Sequence, residues 1–173
     1  MAGFELTRPS DTNAYAVNDA IANSTTAASV VPLTFQMGYP EVNQGSAGNI
    51  ISAQLVTSSA SAFGAMRLWL FNRQPFAAAG YQADNAAIAL TYQAMQRGAN
   101  GTDPIGNLIG FIDFQTFTAR TTSAISDGVC DFTELEYNCG PSSNTIYGVL
   151  EAMAIFTPAS AQTFSVLLDV RAQ

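Results

Sequence analysis

The sequence contains no histidine and no lysine, and all six of its cations are arginines. Without histidine there is no His-based triad, general base or His metal ligand. Without lysine there is neither a Schiff base nor a phosphate-loop lysine. We therefore expect no catalytic residues, no metal and no cofactor, and we predict that the chain is not an enzyme.

Charge of either sign is scarce. Charged residues make up 11% of the chain, whereas soluble domains average about 25%. The net charge is −7 and the pI is near 4.2, so six scattered arginines cannot neutralise a run of phosphates, and nucleic-acid binding is excluded. A surface with so little charge does little to keep copies or partners apart, and this favours assembly.

Long apolar runs are also missing. The N-terminus has no basic leader followed by an apolar stretch of signal-peptide length, and no run approaches the roughly 18 residues of a membrane helix. We expect no membrane partner and expect the protein to stay in a cytoplasm until something releases it. The two cysteines, Cys130 and Cys139, are either paired in a disulfide or free, and they do not make a zinc site.

What the sequence does contain is alternation of apolar and polar residues, which is typical of strands with one face in a core. It indicates strands at 29–37, 49–58, 64–72 and 108–117, and a terminal hairpin of 144–158 with 162–171. The longer stretches 75–107 and 123–143 are predicted to be insertions, the first with a short helix at 84–97.

These elements predict an all-β fold, a two-sheet β-sandwich of jelly-roll-like form with at most one short helix. We divide the chain into residues 1–28, an extended N-terminal arm or an irregular first strand, and residues 29–173, the sandwich domain. In the first segment Phe4, Leu6, Arg8, Pro9 and Tyr15 are candidate interface residues. Either this segment lies across a neighbouring subunit, or it pairs with its own sheet as an edge strand.

A second candidate interface lies in the strand at 64–72. Arg67 and Trp69 share one face of it, and both residue types are enriched at interaction hot spots. The alternative is that Trp69 and Phe71 fill the core while Arg67 lies at its rim.

Four acidic residues are close together in sequence, and they are candidates for a calcium site or for the carboxylate pair of a glycoside hydrolase. Asp127, Asp131, Glu134 and Glu136 form an oxygen-rich stretch of a kind that holds Ca²⁺, but their spacing matches no calcium loop. A solvated acidic loop is the simpler interpretation. Glycoside hydrolysis needs only two carboxylates, and this stretch is the one place where the sequence brings acids together.

Several stretches in a fixed order resemble small proteins encoded among the head genes of tailed bacteriophages. The first are Leu6-Thr7-Arg8-Pro9, Asp11-Thr12, Ala14-Tyr15-Ala16, Asp19 and Asn23-Ser24. The later ones are Arg67-Leu68-Trp69-Leu70-Phe71-Asn72 with Pro75, Ala83-Asp84-Asn85-Ala86-Ala87, and Leu108-Ile109-Gly110-Phe111-Ile112-Asp113-Phe114. Residues 92–107 and the cysteine-bearing loop depart from the pattern.

The resemblance is to capsid decoration, or cement, proteins. It implies a jelly-roll-like homotrimer that sits on the outer shell of the virion, bridges neighbouring subunits of the major capsid protein and stabilises the shell. The rival hypothesis is a receptor- or glycan-binding β-sandwich module of a phage tail or fibre, which uses the same architecture.

Overall fold

The fold was analysed in a computed structural model of the chain, which describes residues 1–37, 47–60, 64–75, 82–90, 108–130, 134–139 and 143–172. Within these ranges the protein is nearly all β, and the strands form one curled antiparallel sheet, a half-barrel. The described residues hold one turn of 3₁₀ helix, Ala27–Ser29, and no α-helix. None of their helices is long and apolar enough to cross a membrane.

The described residues form eleven strands, which we number in chain order. They are β1 Ala2–Thr7, β2 Ala20–Ile21, β3 Leu33–Gln36, β4 Ala47–Thr57, β5 Met66–Phe71, β6 Leu108–Phe114, β7 Thr118–Ala119, β8 Ala124–Cys130, β9 Leu135–Asn138, β10 Thr145–Ala152 and β11 Thr163–Ala172.

The sheet has two halves that share strand β8. The strand order is β1-β11-β4-β8-β6-β5-β10-β2. Ala124 to Gly128 of β8 pair with β4, while Val129 and Cys130 pair with β6, so one strand carries the sheet from one half to the other. Three short strands lie off this order: β9 pairs with β4, β7 pairs with β8, and β3 pairs with β10.

The core fills the inside of the curl. Alternate residues of each long strand point inward, and in β5 these are Met66, Leu68 and Leu70, all fully buried. The predicted central position of this strand is confirmed, because β5 pairs with β6 on one side and β10 on the other. The sheet edges approach each other where Phe4 of β1 meets Phe35 of β3, with ring centroids 6.3 Å apart.

The N-terminal segment belongs to the sheet in this structure. Residues 2–7 pair with 163–168 in continuous antiparallel register. Further along, Tyr15 bridges to Phe156, and Ala20 and Ile21 pair with β10. Of the two arrangements that the sequence left open, the structure therefore has the edge strand.

The predicted terminal hairpin is wrong. β10 lies between β5 and the short strands β2 and β3, whereas β11 lies between β1 and β4 in the other half. The residues between them cross from one half to the other, because each strand finds its hydrogen-bonding partners far away in sequence.

Two further predictions need correction. The stretch 123–143, predicted as an insertion, contains β8 and β9. Residues 84–90 of the predicted helix form a turn and an isolated bridge from Ala87 to Asp19, and residues 91–97 lie outside the described residues.

Candidate functional site

A fully buried arginine organises the N-terminal part of the fold. Arg8 follows β1 directly, and its side chain has 0% exposure. An arginine has five N–H donors, and all five are used. Nε donates to the Tyr15 hydroxyl at 2.9 Å, and the two Nη1 protons go to the carbonyls of Asp11 and Ala159. Nη2 donates to Asp11 Oδ1 at 2.9 Å and to Asp84 Oδ2 at 3.0 Å.

The carboxylate of Asp84 is the second centre of this network, and its side chain is also 0% exposed. Its Oδ1 accepts from the Tyr15 hydroxyl at 2.6 Å and from the Ala22 backbone N–H at 2.8 Å. The Tyr15 ring stacks on Phe156 with centroids 4.9 Å apart. We call Arg8, Asp11, Tyr15 and Asp84 the Arg8 network.

The environment shifts the proton equilibria of the Arg8 network. Burial raises the pKa of Asp84 because it disfavours the charged form, although hydrogen bonds from Tyr15 and Ala22 oppose the shift. Burial and the neighbouring Asp84 also raise the pKa of Tyr15. The hydrogen bond from Arg8 lowers the pKa of Asp11. For Arg8, burial alone would lower the pKa, but bonds to Tyr15 and Asp11 outweigh it and raise the pKa.

A second set of polar contacts flanks the Arg8 network. Asp19 accepts a hydrogen bond from the Ala16 backbone N–H at 2.7 Å. In the orientation that satisfies both partners, the Asn85 amide donates to Asp19 Oδ2 and to the Ala14 carbonyl, each at 3.0 Å. Segments near residues 6–22 and 83–86, far apart in sequence, therefore meet at one place.

The other candidate residues lie on the outward face of β5. Arg67 forms a two-point ion pair with Asp113 of β6, with Nε–Oδ1 at 2.6 Å and Nη2–Oδ2 at 2.8 Å. Its guanidinium lies 3.9 Å from the centroid of Phe111 and 5.2 Å from that of Trp69. The Trp69 Nε1 donates to Glu151 of β10 at 2.6 Å. We call these residues the Arg67 row.

The seven residues predicted to form an interface are thus spread over two places. Leu6, Arg8 and Tyr15 are buried inside the chain's own fold. Phe4 and Pro9 on the N-terminal side, and Arg67 and Trp69 on β5, are half-buried. Phe71 is fully buried in a second apolar cluster with Leu108 and Val149. These four side chains therefore keep part of their surface exposed, whereas the other three do not.

The described side chains of the acidic stretch, Asp127, Glu134 and Glu136, do not converge on one point. Asp127 lies on β8 and receives a bond from Gln54 at 3.3 Å, while Glu134 accepts from Asn49 at 2.6 Å. Asp131 lies outside the described residues. The described ranges hold no cluster of three metal-ligating side chains.

Cys130 and Cys139 are not joined by a disulfide in the structure. Cys130 ends β8 and is half-buried, whereas Cys139 follows β9 and is buried. Burial raises the pKa of the Cys139 thiol to about 11.

The Arg8 network is the feature that sequence reasoning missed. The sequence predicts Leu6, Arg8 and Tyr15 as interface residues, whereas all three are buried inside the fold. Asp11, three residues after Arg8, was the one local sign in the sequence that Arg8 forms an ion pair. Asp84 lies 76 positions away from Arg8, and only the order of the resembling stretches connected the two.

Comparison with known proteins found no match among protein-family models, curated proteins or solved structures.

Proposed function

We propose that the chain is a virion structural protein that decorates the outer capsid shell. It binds neighbouring subunits of the major capsid protein, bridges them and stabilises the shell without catalysis. The protein acts as a homotrimer on the outer surface of a bacteriophage head that is assembled in the bacterial cytoplasm. In this proposal the half-barrel is a variant of the jelly-roll-like sandwich, with the two halves joined at β8 as its two sheets.

The observation that carries the proposal is the convergence of the resembling stretches. Arg8, Asp11 and Tyr15 come from the opening stretches and Asp84 from a stretch more than 60 residues later, and they share one set of hydrogen bonds. Arg67 and Asp113, from two other resembling stretches, form an ion pair. The proposal is supported by the resemblance of these stretches, and the contacts place the resembling stretches within one packed unit.

The Arg8 network also supports the proposal, because it connects distant parts of the fold and makes it rigid. The Arg8 network ties β1 to the turn before β11 through the Ala159 carbonyl, and to the segment at 82–90 through Asp84. A protein that stabilises a shell by binding must itself resist deformation. Many weak contacts then add through multivalency, since each bound copy raises the effective concentration of the next contact.

The test is to mix purified protein with undecorated shells of the virus that encodes it. We expect saturable binding, measured by co-sedimentation, and a rise in the temperature at which the shells rupture. Size-exclusion chromatography with light scattering should give a trimer. Absence of binding at any occupancy would refute the proposal.

A second candidate function rests on the half-exposed rings of Trp69 and Phe111, which meet edge to face with centroids 5.4 Å apart. An exposed aromatic face is what a glycan-binding module of a tail or fibre uses. A glycan array with one strong class of hits that Trp69→Ala abolishes would favour this function over decoration.

A further inference from the structure

The outward face of the first half of the sheet has no second layer among the residues that the structure describes. Strands β1, β11 and β4 bury alternate residues, and the residues between them point to solvent. We call this surface the acidic face and define it by Glu5, Gln54, Asp127, Glu134, Glu136 and Asp169.

Charge on the acidic face is almost all of one sign. It carries five carboxylates. Among the residues that the structure describes, Arg171 is the one arginine on the strands of this face, and it lies 3.6 Å from Glu134. Two other arginines, Arg8 and Arg67, are held in internal ion pairs. A solvated sheet face ordinarily mixes both signs, so this face presents a negative potential to whatever approaches it.

The acidic face also carries exposed apolar side chains beside its carboxylates. A cleft of about 230 Å³ opens there, lined by Met1, Gln54, Asp127, Leu167 and Asp169 among others. Met1 is 89% exposed and Leu167 39%, and Val129, 64% exposed, lies two residues beyond Asp127. Large exposed apolar side chains that are grouped together mark interaction sites.

The register places the carboxylates of Asp127 and Asp169 on opposite sides of Gln54 and Ser52 of β4. Leu167 pairs with Gln54 and Gln54 with Asp127, so these three form one row, and Asp169 lies in the next row beside Ser52. From ordinary strand and residue spacings the two carboxylates are roughly 12 Å apart. That separation leaves room for the apolar stem of a long cationic side chain between them.

We propose that the acidic face is the surface by which the chain docks on its partner protein, and that the partner presents a basic patch of arginine or lysine side chains. This inference rests on the proposed function and names the face that meets the shell. Charge complementarity selects the occupant. A second copy in a face-to-face contact would oppose carboxylates to carboxylates, and nucleic acid would oppose phosphates to them.

The Arg67 row is less suited to this role. Its charged groups already satisfy one another, since Asp113 holds Arg67 and Glu151 holds the Trp69 N–H. A partner would have to break these bonds before making its own. On the acidic face Asp127, Glu134 and Glu136 are exposed, and the contacts of Asp127 with Gln54 and of Glu134 with Asn49 are solvent-exposed.

The experiment compares two double variants of the full-length protein for binding to undecorated shells. Asp127→Asn with Asp169→Asn removes two charges from the acidic face. Thr25→Arg with Gln74→Arg changes the net charge by the same amount at two exposed loop positions outside that face. Both should keep the wild-type melting temperature, because all four sites are at least partly exposed. Binding is measured by co-sedimentation over a range of salt concentrations.

We expect the acidic-face variant to bind about five- to tenfold more weakly at low salt, with a shallower dependence on salt. The loop variant should bind within about twofold of wild type. Equal binding by wild type and the acidic-face variant would overturn the assignment of the face alone, and so would an equal loss in both variants. A wild-type protein that binds no shell would overturn the proposed function as well.

Discussion

Replacing Arg8 by alanine is expected to be the most damaging single charge removal in this fold. The guanidinium and the Asp84 carboxylate are both fully buried. Removing the cation leaves that carboxylate buried with bonds from Tyr15 and Ala22 alone. Breaking a buried ion pair by deleting one partner destabilises a protein by about 3–5 kcal/mol. For a domain of this size that corresponds to a fall in Tm of roughly 6–20 °C.

The assay is urea unfolding followed by circular dichroism at one protein concentration, because oligomerisation makes apparent stability depend on concentration. Arg120→Ala is the matched control, since Arg120 is an exposed arginine and its loss should change the free energy of unfolding by less than about 0.5 kcal/mol. Arg8→Met combined with Asp84→Asn should be less destabilising than the sum of the single changes, by about 1–3 kcal/mol. If Arg8→Ala destabilises the protein by less than about 1 kcal/mol, the reasoning about the Arg8 network is refuted.

Three further predictions follow from single contacts. Because Arg8 lowers the pKa of Asp11 in the folded state, the stabilisation from Asp11 is complete above its unfolded pKa and is lost as the pH falls through the folded value. Wild type should therefore lose more stability than Asp11→Asn in urea titrations between about pH 5 and pH 2, and parallel profiles would contradict this. At pH 8 iodoacetamide should label half-buried Cys130 well before Cys139, whose pKa is about 11; equal rates by mass spectrometry would show that burial does not protect Cys139. In Gly128→Ala the new Cβ would lie 2.5 Å from Ile112 Cγ2 and 2.7 Å from Phe114 Cε1, so we expect destabilisation of about 1–3 kcal/mol. In Gly3→Ala the one close contact is with the exposed Leu167 side chain, so this variant should be destabilised less in the same urea unfolding assay.

Alternation predicted the strands whose inward residues are large. β3, β5 and β6 show it clearly, since their buried positions carry Leu, Phe, Met or Ile, with Gly110 of β6 as the exception. In β4 strict alternation puts Ile51 on the same face as Ala53 and Leu55, which are both buried, but Ile50 is the buried isoleucine. The pairing with β11 shifts register between Asp169 and Val170, and such a bulge reverses which residues face the core.

Strand β8 was missed because its inward residues are small. Ala124 and Ser126 are buried, and the space beside Gly128 is filled by Ile112 and Phe114. A strand that fits against large neighbours in this way has no apolar alternation of its own. The pairing of β10 and β11 with distant strands could not be predicted either. Proximity in sequence favours a hairpin, whereas the actual partners depend on how the whole curled sheet packs.

The candidate sites show the same division. Arg67 and Trp69 could be placed on one face of a strand from their spacing alone. The buried pair of Arg8 and Asp84 could not, because no local pattern distinguishes an arginine that is fully enclosed from one that reaches solvent. The hydrogen bonds that decide between these cases come from Asp84 and Ala159, which are remote in sequence.

The central claim is that the chain sits on the outer surface of a capsid, and imaging the particle tests it most directly. Cryo-electron microscopy of purified virions, compared with virions lacking this chain, should reveal extra trimeric density on the outer shell at a local symmetry axis, bridging adjacent capsid subunits. The half-barrel should fit that density with the acidic face toward the shell. Identical shells in the two maps, or density for the chain found only in the tail, would contradict the account.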